Sequence, residues 1–192
     1  MKSIVIIGAG ALGSHLVLLA RNWKVQLTVI DFDKVEQRNI ESQFHTKIAL
    51  RRHKVQSLQQ SMQGLFGLRL VVNPRKVGAG NVEALLGGAD LVIDCTDNIE
   101  ARQVIRGFVK ERGIPCLHGA LSAGGDFGLV AWTEDFVPDA EGEPGQATCE
   151  NGDQLPFFAL AAAQMALTVQ AYLTDGIKRS HQFTAHSILR VG

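Results

Sequence analysis

A glycine-rich turn near the start of the chain combines residue types that suit phosphate binding. Gly8, Gly10 and Gly13 follow the apolar run 4–7 and precede a segment whose leucines recur at helical spacing. In such a strand–turn–helix unit the first glycine allows a tight turn, and the second lets backbone N–H groups approach a phosphate. Asp31 lies 18 residues after Gly13, where its carboxylate would accept hydrogen bonds from a ribose. The pattern predicts a nucleotide site with NAD or FAD as default ligands, and a glycine turn without ligand is the alternative.

A second set of charged residues favours ATP over a dinucleotide. Asp33 follows Asp31 closely, and Lys54 lies near the start of a predicted helix. Asp97 follows the apolar strand 91–94. Ligands of such sheets bind outside the carboxyl ends of the strands, so the three carboxylates are expected to converge there around a cation. Mg²⁺ with a triphosphate fits, because Mg²⁺ is held by one or two carboxylates and phosphate oxygens. Lys54 would then bring a positive charge to the phosphates.

The elements that must position these residues alternate along the chain. Strands 4–7 and 25–30 flank the first helix and form a βαβ unit, whose crossover is almost always right-handed. Further segments follow as a helix over 45–65, a strand over 68–72, a short helix over 82–86, a strand over 91–94, a helix over 99–112, strands over 115–121 and 128–133, an exposed loop over about 134–155, an Ala-rich helix over 156–174 and a final strand over 183–191. This predicts a single α/β domain over 1–192: a Rossmann-like, doubly wound, mostly parallel sheet with helices on both faces and C-terminal antiparallel strands.

Composition excludes several classes of protein. The 46% hydrophobic and 20% charged residues are typical of a globular protein. Nineteen acids balance nineteen bases, so no nucleic-acid or anionic membrane partner is expected. The longest apolar stretch, 155–172, is interrupted by Pro156, Gln164 and Gln170, so no membrane span is predicted, and the N-terminus does not resemble a signal peptide. Three cysteines fit neither a disulfide framework nor a four-cysteine zinc site, and reduced thiols predict a cytoplasmic protein.

These motifs together resemble the ThiF/MoeB/HesA superfamily, which includes the ubiquitin-activating enzymes and the bacterial sulfur-carrier adenylyltransferases. The resemblance rests on the glycine turn, Asp31-Phe-Asp33, Asn39, Gln43, Lys54 and the segment Asp90-Leu-Val-Ile-Asp-Cys-Thr-Asp97-Asn98. It continues through Gly119-Ala120, Thr148-Cys149 and the Ala-rich helix. It therefore covers nearly the whole chain.

The resemblance implies an ATP-dependent adenylyltransferase that uses Mg²⁺. In such proteins a carboxylate attacks the α-phosphate of ATP, giving an acyl-adenylate and pyrophosphate. On this match Asp31 holds the ribose, Lys54 the phosphates and Asp97 the metal. The remaining nucleotide-site residues are Gly8, Gly10, Gly13, Asp33, Asn39, Gln43 and Asn98. The expected partners are a small ubiquitin-like or sulfur-carrier protein or a peptide ending in Gly, and a second copy of the chain in a homodimer. The acceptor stays open among sulfur carriers of thiamine or molybdopterin synthesis, ubiquitin-like modifiers, ribosomal peptides and small carboxylates.

The sequence departs from the family pattern at several places. Ser42 stands where the family usually has a phosphate-contacting Arg, with Arg38, Arg51 and Arg52 as candidate substitutes. The family's N-terminal helical extension, which often carries an Arg donated across a dimer, and its zinc-binding C-x-x-C pairs are not seen in this sequence. One alternative is therefore a catalytically degenerate nucleotide-binding or scaffold subunit that partners an active homologue. A second alternative is an NAD(P)-dependent oxidoreductase, although no catalytic Tyr–Lys or His–Asp pairing is visible.

Cysteine and histidine give weaker functional signals. Cys149 lies where several family members carry a thiol, so it is a candidate acyl-accepting nucleophile. It is otherwise a plain loop cysteine, since neighbouring Glu150 disfavours the thiolate. Cys95 and Cys116 are expected in the core. The six histidines show no metal-ligand spacing, and His118 is the one expected near the cleft, with a structural role.

Overall fold

The first thirty residues form the expected βαβ unit. A computed structural model of the protein describes residues 1–122, 124–136 and 152–191. Strand β1 spans Ser3–Ile7, helix α1 spans Ala11–Leu19 and strand β2 spans Gln26–Ile30. A short 3-10 helix, Ala20–Asn22, continues α1. β1 and β2 pair in parallel, which confirms the predicted crossover unit and brings the carboxyl ends of both strands to one edge.

The later elements extend the same sheet in both directions. They are α2 (Lys54–Phe66), β3 (Val71–Asn73), α3 (Val82–Leu86), β4 (Leu91–Asp94), α4 (Ile99–Arg112), β5 (Cys116–Leu121), β6 (Phe127–Trp132), α5 (Leu155–Asp175), β7 (Ser180–Thr184) and β8 (Ile188–Val191). In the described residues the sheet has eight strands in the order β3-β2-β1-β4-β5-β6-β7-β8. The first five run parallel and the last three antiparallel. The predicted Rossmann-like architecture with C-terminal antiparallel strands is confirmed.

Helices cover both faces of the sheet, as a buried parallel strand requires. Ile4 and Ile6 of β1 belong to a core that includes residues of α1, α2 and α5. Val5 and Ile7, on the opposite face, pack in a second core with residues of α3 and α4. Because successive side chains of a strand point to opposite faces, an uninterrupted apolar strand is buried on both sides. This explains why residues 4–7 and 91–93 are apolar throughout.

The predicted helix over 45–65 is wrong in its first nine residues, because α2 begins at Lys54. Residues 45–53 hold only a short 3-10 helix, Lys47–Ala49, and Arg51 adopts a left-handed conformation with φ of 69°. The backbone here pairs with the segment after β2 instead. Arg51 N–H donates to Val35 O at 2.9 Å, and Val35 N–H donates to Arg52 O at 2.8 Å. These non-local bonds replace the helical ones and tie the segment to the chain that follows β2.

The predicted final strand over 183–191 is a hairpin of β7 and β8. Thr184 and Ser187 close the connecting turn, with Thr184 N–H donating to Ser187 O at 2.8 Å. Of the expected loop over 134–155, residues 134–136 are described, residues 137–151 lie outside the described residues, and a 3-10 helix covers Gly152–Gln154. The predictions for Thr148 and Cys149 therefore fall on residues that the structure does not describe.

One described helix is long and apolar enough to meet a membrane-span criterion, by length and composition only. The helical segment Gly152–Asp175 contains a window of mean hydropathy 1.3, of which 39% is buried inside the fold. Phe158, Ala162, Met165 and Val169 of α5 lie in the core shared with α1. A core helix passes the same criterion, so the prediction that the chain has no membrane partner stays a prediction.

Candidate functional site

The turn after β1 lies at the centre of the carboxyl edge of the parallel sheet. Ile7 is in register with Ile30 of β2 and with Asp94 of β4. The residues that follow these strands therefore lie side by side. Gly8 N–H donates to Ile30 O and Cys95 N–H donates to Ile7 O, both at 2.8 Å. The three strand ends that carry the glycines, Asp31 and Asp97 are consequently adjacent, as the sequence predicts.

Two of the three glycines are required by close packing. Gly8 has φ of +94°, and a Cβ on it would lie 2.9 Å from Cys95 O. A Cβ on Gly13 would lie 1.9 Å from Gly8 O, so only glycine lets α1 pack this close to the turn. A Cβ on Gly10 would meet nothing within 4 Å. Gly10 is also the N-cap of α1, whose first N–H groups carry partial positive charge and lack helical partners. Open space therefore borders the N-terminus of α1 at Gly10.

Asp31 binds two backbone N–H groups at the turn. Its Oδ2 accepts from Ala9 N–H at 2.6 Å, and its Oδ1 accepts from Asp33 N–H at 2.7 Å. Burial raises the pKa of the Asp31 carboxyl, and the charge of Lys54 and the two backbone N–H groups oppose that shift. Each carboxylate oxygen can accept more than one hydrogen bond. Asp31 thus holds the turn in shape and retains acceptor capacity for a hydroxyl group.

Lys54 and Asp33 form an ion pair at the same edge. Lys54 Nζ donates to Asp33 Oδ2 at 3.0 Å, with side-chain exposures of 9% for Lys54 and 48% for Asp33. Lys54 N–H also donates to Asp33 O at 2.9 Å, so the first residue of α2 is tied to the segment after β2 twice. An ammonium has three donors. Lys54 is therefore a buried cation with donor capacity left for a phosphate.

Asn39 and Gln43 lie in the segment between Asp33 and Lys54, and both are buried. Asn39 Oδ1 accepts from Glu36 N–H at 2.9 Å in a capping box that closes a 3-10 helix, Gln37–Asn39. Gln43 N–H donates to Asn39 O at 2.9 Å, while Gln43 Oε1 is buried with no hydrogen-bond partner among the described residues. Ser42 between them is fully buried. Asn39 therefore has a structural role. The Oε1 atom of Gln43 is a hydrogen-bond acceptor without a partner among the described residues.

Asp97 and Asn98 differ in what they contact. Both are exposed residues between β4 and α4. Asn98 Oδ1 accepts from Ala101 N–H at 2.9 Å and so caps the N-terminus of α4, a role the sequence analysis did not assign. The Asp97 side chain makes no hydrogen bond or ion pair with another described residue. Among the described residues no group of three or more His, Cys, Asp or Glu side chains is arranged to hold a metal ion. The expected convergence of three carboxylates around a cation is therefore not found, since Asp33 pairs with Lys54 instead.

Comparison with known proteins decides the family. Residues 1–183 match the ThiF family. The chain belongs to the ThiF family. It is 32% identical over 122 residues to the SAMP-activating enzyme E1 of Haloferax volcanii, covering 62% of this chain and 45% of that protein. It is 26% identical over 188 residues to the probable adenylyltransferase/sulfurtransferase MoeZ of Mycobacterium tuberculosis, covering 91% of this chain and 48% of MoeZ. The chain thus spans about half the length of these relatives.

Solved structures confirm the fold of this ThiF-family chain. E. coli MccB with MccA-N7isoASN superposes with a TM-score of 0.81 at 14% identity, covering 100% of this chain and 64% of that one. E. coli MccB with ATP superposes with a TM-score of 0.79 at 15% identity, covering 100% of this chain and 63% of that one. At such identities the likeness concerns the fold alone. The Rossmann-like sheet is therefore the arrangement found in those proteins.

The ThiF-family chain also has a buried polar chain that the sequence analysis missed. Asp94 Oδ2 is 2.8 Å from His118 Nδ1, and His118 Nε2 is 2.9 Å from Thr133 Oγ1. Asp94 Oδ1 accepts from the N–H and the hydroxyl of Thr96. Although burial alone would raise it, the pKa of Asp94 is lowered by the hydrogen bond from His118 and by the charge of Arg102. The predicted structural role of His118 thus has a specific form: it holds the carboxylate that shapes the Asp97 loop.

A second missed histidine lies against the glycine turn itself. His45 Nε2 is 2.9 Å from Ala9 O and Nδ1 is 3.1 Å from Ser57 Oγ. Burial, together with the charges of Lys54 and His15, lowers the pKa of His45 to about 4, and the hydrogen bond that the ring donates to Ala9 O opposes that shift. A lone histidine inside a segment predicted to be helical gave no signal of this contact. It becomes visible only once residues 45–53 are known to fold back over the turn.

Proposed function

We propose that this chain is an ATP-dependent adenylyltransferase that activates the C-terminal carboxylate of a small ubiquitin-like or sulfur-carrier protein or of a peptide ending in Gly. A carboxylate oxygen forms a bond to the α-phosphorus of ATP. The bond from that phosphorus to the oxygen bridging to the β-phosphate breaks, and pyrophosphate leaves with the electron pair. The products are an acyl-adenylate and pyrophosphate. The arrangement of Lys54 beside the glycine turn carries the proposal, because this reaction brings two anions together.

The desolvation of Lys54 is the physical reason to expect an anion here. A buried ammonium is costly unless it is paired, and Asp33, which is half exposed, provides only one partner. The N-terminus of α1 adds partial positive charge next to open space at Gly10. Fixed positive groups in a partly dehydrated site stabilise charge that develops in a transition state. We assign the phosphates to Lys54 and the glycine turn, the ribose to Asp31, and the lining of the phosphate pocket to Asn39 and Gln43.

Mg²⁺ fits this site as a companion of the phosphates. Asp97 offers one exposed carboxylate, and Mg²⁺ commonly binds through one or two carboxylates with phosphate oxygens and water completing its shell. When bound, the ion would neutralise charge on the phosphates. We assign Asp97 as its protein ligand. The assignment of Cys149 as an acyl-accepting thiol stays a prediction, because that residue lies outside the described ranges.

The names of relatives support the class of reaction. Besides those named above, the chain is 27% identical over 121 residues to the molybdopterin-synthase adenylyltransferase of Salmonella typhimurium, covering 61% of this chain and 48% of that enzyme. Relatives are thus named for adenylylation and for SAMP activation. By analogy we propose a protein or peptide acceptor. We also expect a homodimer in the cytoplasm. Leu167 on α5 is 60% exposed and is a candidate residue of the dimer interface.

The surroundings of Ser42 favour a second candidate, a nucleotide-binding subunit without turnover. Ser42 occupies the place of the Arg implied by the family resemblance, and it is fully buried. Arg38 Nε donates to Glu36 at 2.7 Å, and Arg52 donates to Gln60 at 2.8 Å. Two of the three candidate replacement arginines are therefore engaged on the surface. Such a subunit would bind Mg·ATP and associate with an active homologue.

The test is titration calorimetry of Mg·ATP and, in parallel, NAD⁺ into the protein and two lysine variants. We expect Mg·ATP to bind and Lys54→Ala to weaken it at least tenfold, because the buried cation is lost. Lys47→Ala, an exposed lysine seven residues earlier, is the matched control and should change the Kd less than twofold. Binding of NAD⁺ but not Mg·ATP would refute the proposal. ATP–pyrophosphate exchange with a candidate acceptor ending in Gly, lost in Asp97→Ala, separates the enzyme from the subunit without turnover.

A further inference from the structure

The buried side chain of His45 joins the glycine turn to α2. Its Nε2 is 2.9 Å from Ala9 O, and its Nδ1 is 3.1 Å from Ser57 Oγ. A backbone carbonyl can only accept, so Nε2 must carry the ring proton. Nδ1 of the neutral ring is then an acceptor, and the Ser57 hydroxyl donates to it. Both ring nitrogens are therefore satisfied by a single arrangement of hydrogens.

The contact with Ala9 O fixes the direction of the next amide. In a trans peptide the C=O and the following N–H point to opposite sides, so holding Ala9 O toward His45 turns Gly10 N–H away from it. Gly10 N–H donates to no other described residue, and the space beside Gly10 is open. The preceding peptide is fixed as well, because Ala9 N–H donates to Asp31 Oδ2 at 2.6 Å. The turn thus carries a donor, Gly10 N–H, that is unpaired among the described residues.

The contact with Ser57 fixes the turn relative to Lys54. Ser57 and Lys54 lie three residues apart on α2, about one helical turn, and both are buried. His45 consequently links the two elements that carry positive charge at this edge, the N-terminus of α1 with its turn and the first residue of α2. The motif residues Asp31 and Asp33 also join the turn to Lys54, but only in relay: Asp31 accepts from Ala9 N–H and Asp33 N–H, and Asp33 accepts from Lys54.

We propose that His45 is a positioning residue of the phosphate-binding turn. It holds the Ala9–Gly10 peptide so that Gly10 N–H faces the triphosphate, and it keeps the turn at a fixed distance from Lys54. The proposal rests on the proposed function, since it assigns the open side of the turn to a triphosphate. It assigns His45 no contact with the nucleotide, because both ring nitrogens are engaged by Ala9 O and Ser57 Oγ.

A pair of isosteric variants separates this role from mere packing. The amide of Gln reaches the position of His Nε2 and can donate to Ala9 O, whereas the amide of Asn reaches only the position of Nδ1. We expect His45→Asn to raise the Kd for Mg·ATP about tenfold, which is about 1.4 kcal/mol. We expect His45→Gln to stay within about threefold of the original protein. His181→Asn, at a half-buried histidine bonded to Thr168 on the far side of the fold, is the control and should not change the Kd.

A ligand-free measurement keeps this test independent of the proposed function. The backbone order parameter of Gly10 from ¹⁵N relaxation should stay near the rigid value of about 0.85 in the original protein and in His45→Gln. It should fall below about 0.6 in His45→Asn. Equal Gly10 rigidity in both variants, equal Mg·ATP affinity in both, or loss of binding in a folded His45→Gln protein would overturn the proposal. If the original protein binds no Mg·ATP, the proposed function fails, and the triphosphate part of the proposal fails with it; the Gly10 result then decides separately whether His45 holds the peptide.

Discussion

Replacing His118 by Leu tests how the loop that carries Asp97 is held. His118 and Asp94 are both fully buried, with Nδ1 and Oδ2 2.8 Å apart. The ring also stacks on Phe136, with centroids 4.3 Å apart. Leu fills much of the same volume but donates no hydrogen bond. The variant leaves a buried carboxylate with Thr96 as its remaining hydrogen-bond donor among the described residues.

The expected loss of stability is about 3 kcal/mol. A hydrogen bond to a charged group contributes about 1.5–3 kcal/mol, and breaking a buried pair costs about 3–5 kcal/mol because the other charge stays buried. In a chain of this size 1 kcal/mol changes Tm by about 2–4 °C, so Tm should fall by roughly 6–12 °C. The control is His181→Leu, which removes a half-buried contact to Thr168 and should cost only about 1 kcal/mol.

The assay is urea unfolding at neutral and at acidic pH, carried out with His118→Leu, with Asp94→Asn and with both substitutions together. The folded pKa of Asp94 lies below its usual value of 3.8, so its contribution to stability is present above that pH and is lost as pH falls through the folded value. Asp94→Asn should remove this part of the acid sensitivity. The reasoning is refuted if His118→Leu costs no more than His181→Leu. It is equally refuted if the effects at 94 and 118 add within about 0.5 kcal/mol, because contacting partners should be coupled.

Two further predictions concern the nucleotide edge. Gly13→Ala should strongly destabilise or unfold the protein in a thermal melt, because the new Cβ would lie 1.9 Å from Gly8 O. Gly10→Ala adds a Cβ in open space, so Tm should stay within about 2 °C, while calorimetry should show weaker Mg·ATP binding. Asn98→Ala should cost about 1 kcal/mol in urea unfolding through the lost cap, and Asn98→Ser should restore it. If Asn98→Ser is stable but has lost Mg·ATP affinity, Asn98 binds nucleotide in addition to capping α4.

The sequence predicts best those parts of the fold that have a strong local pattern, such as a continuous apolar run or a glycine at the end of a helix. The apolar runs 4–7 and 91–93 are buried on both faces, and a helix such as α4, which ends before Gly113, needs little tertiary information. The start of α2 was misplaced because residues 45–53 have ordinary helix-forming residues and no proline or glycine. Their conformation is decided by distant contacts, such as the pairing of Val35 with residues 51 and 52. Tertiary contacts of this kind override local propensity.

In the candidate site, too, the sequence predicts where residues lie but not what their side chains contact. The positions of Gly8, Asp31 and Asp97 follow from the rule that parallel strands end at one edge, so sequence alone placed them together. What each side chain contacts could not be read from spacing. Asp33 was expected to face a cation shared with two other acids, and it binds Lys54. His45 was assigned to a helix, and it contacts the turn. Side-chain partners depend on register and loop path, which carry no periodic pattern.

The charges at the site make the orientation of the glycine turn important for the proposed binding of phosphate. The charge of Lys54 is offset by Asp33, which makes its burial tolerable. Ser42 contributes no charge where the family resemblance implies an Arg, so under the proposed function side chains meet less of the phosphate charge. The partial charge and donors of the turn and of the α1 N-terminus must then supply a larger share. A site of this composition depends on where the Gly10 N–H points, and His45 is the described side chain bonded to the carbonyl that sets this direction.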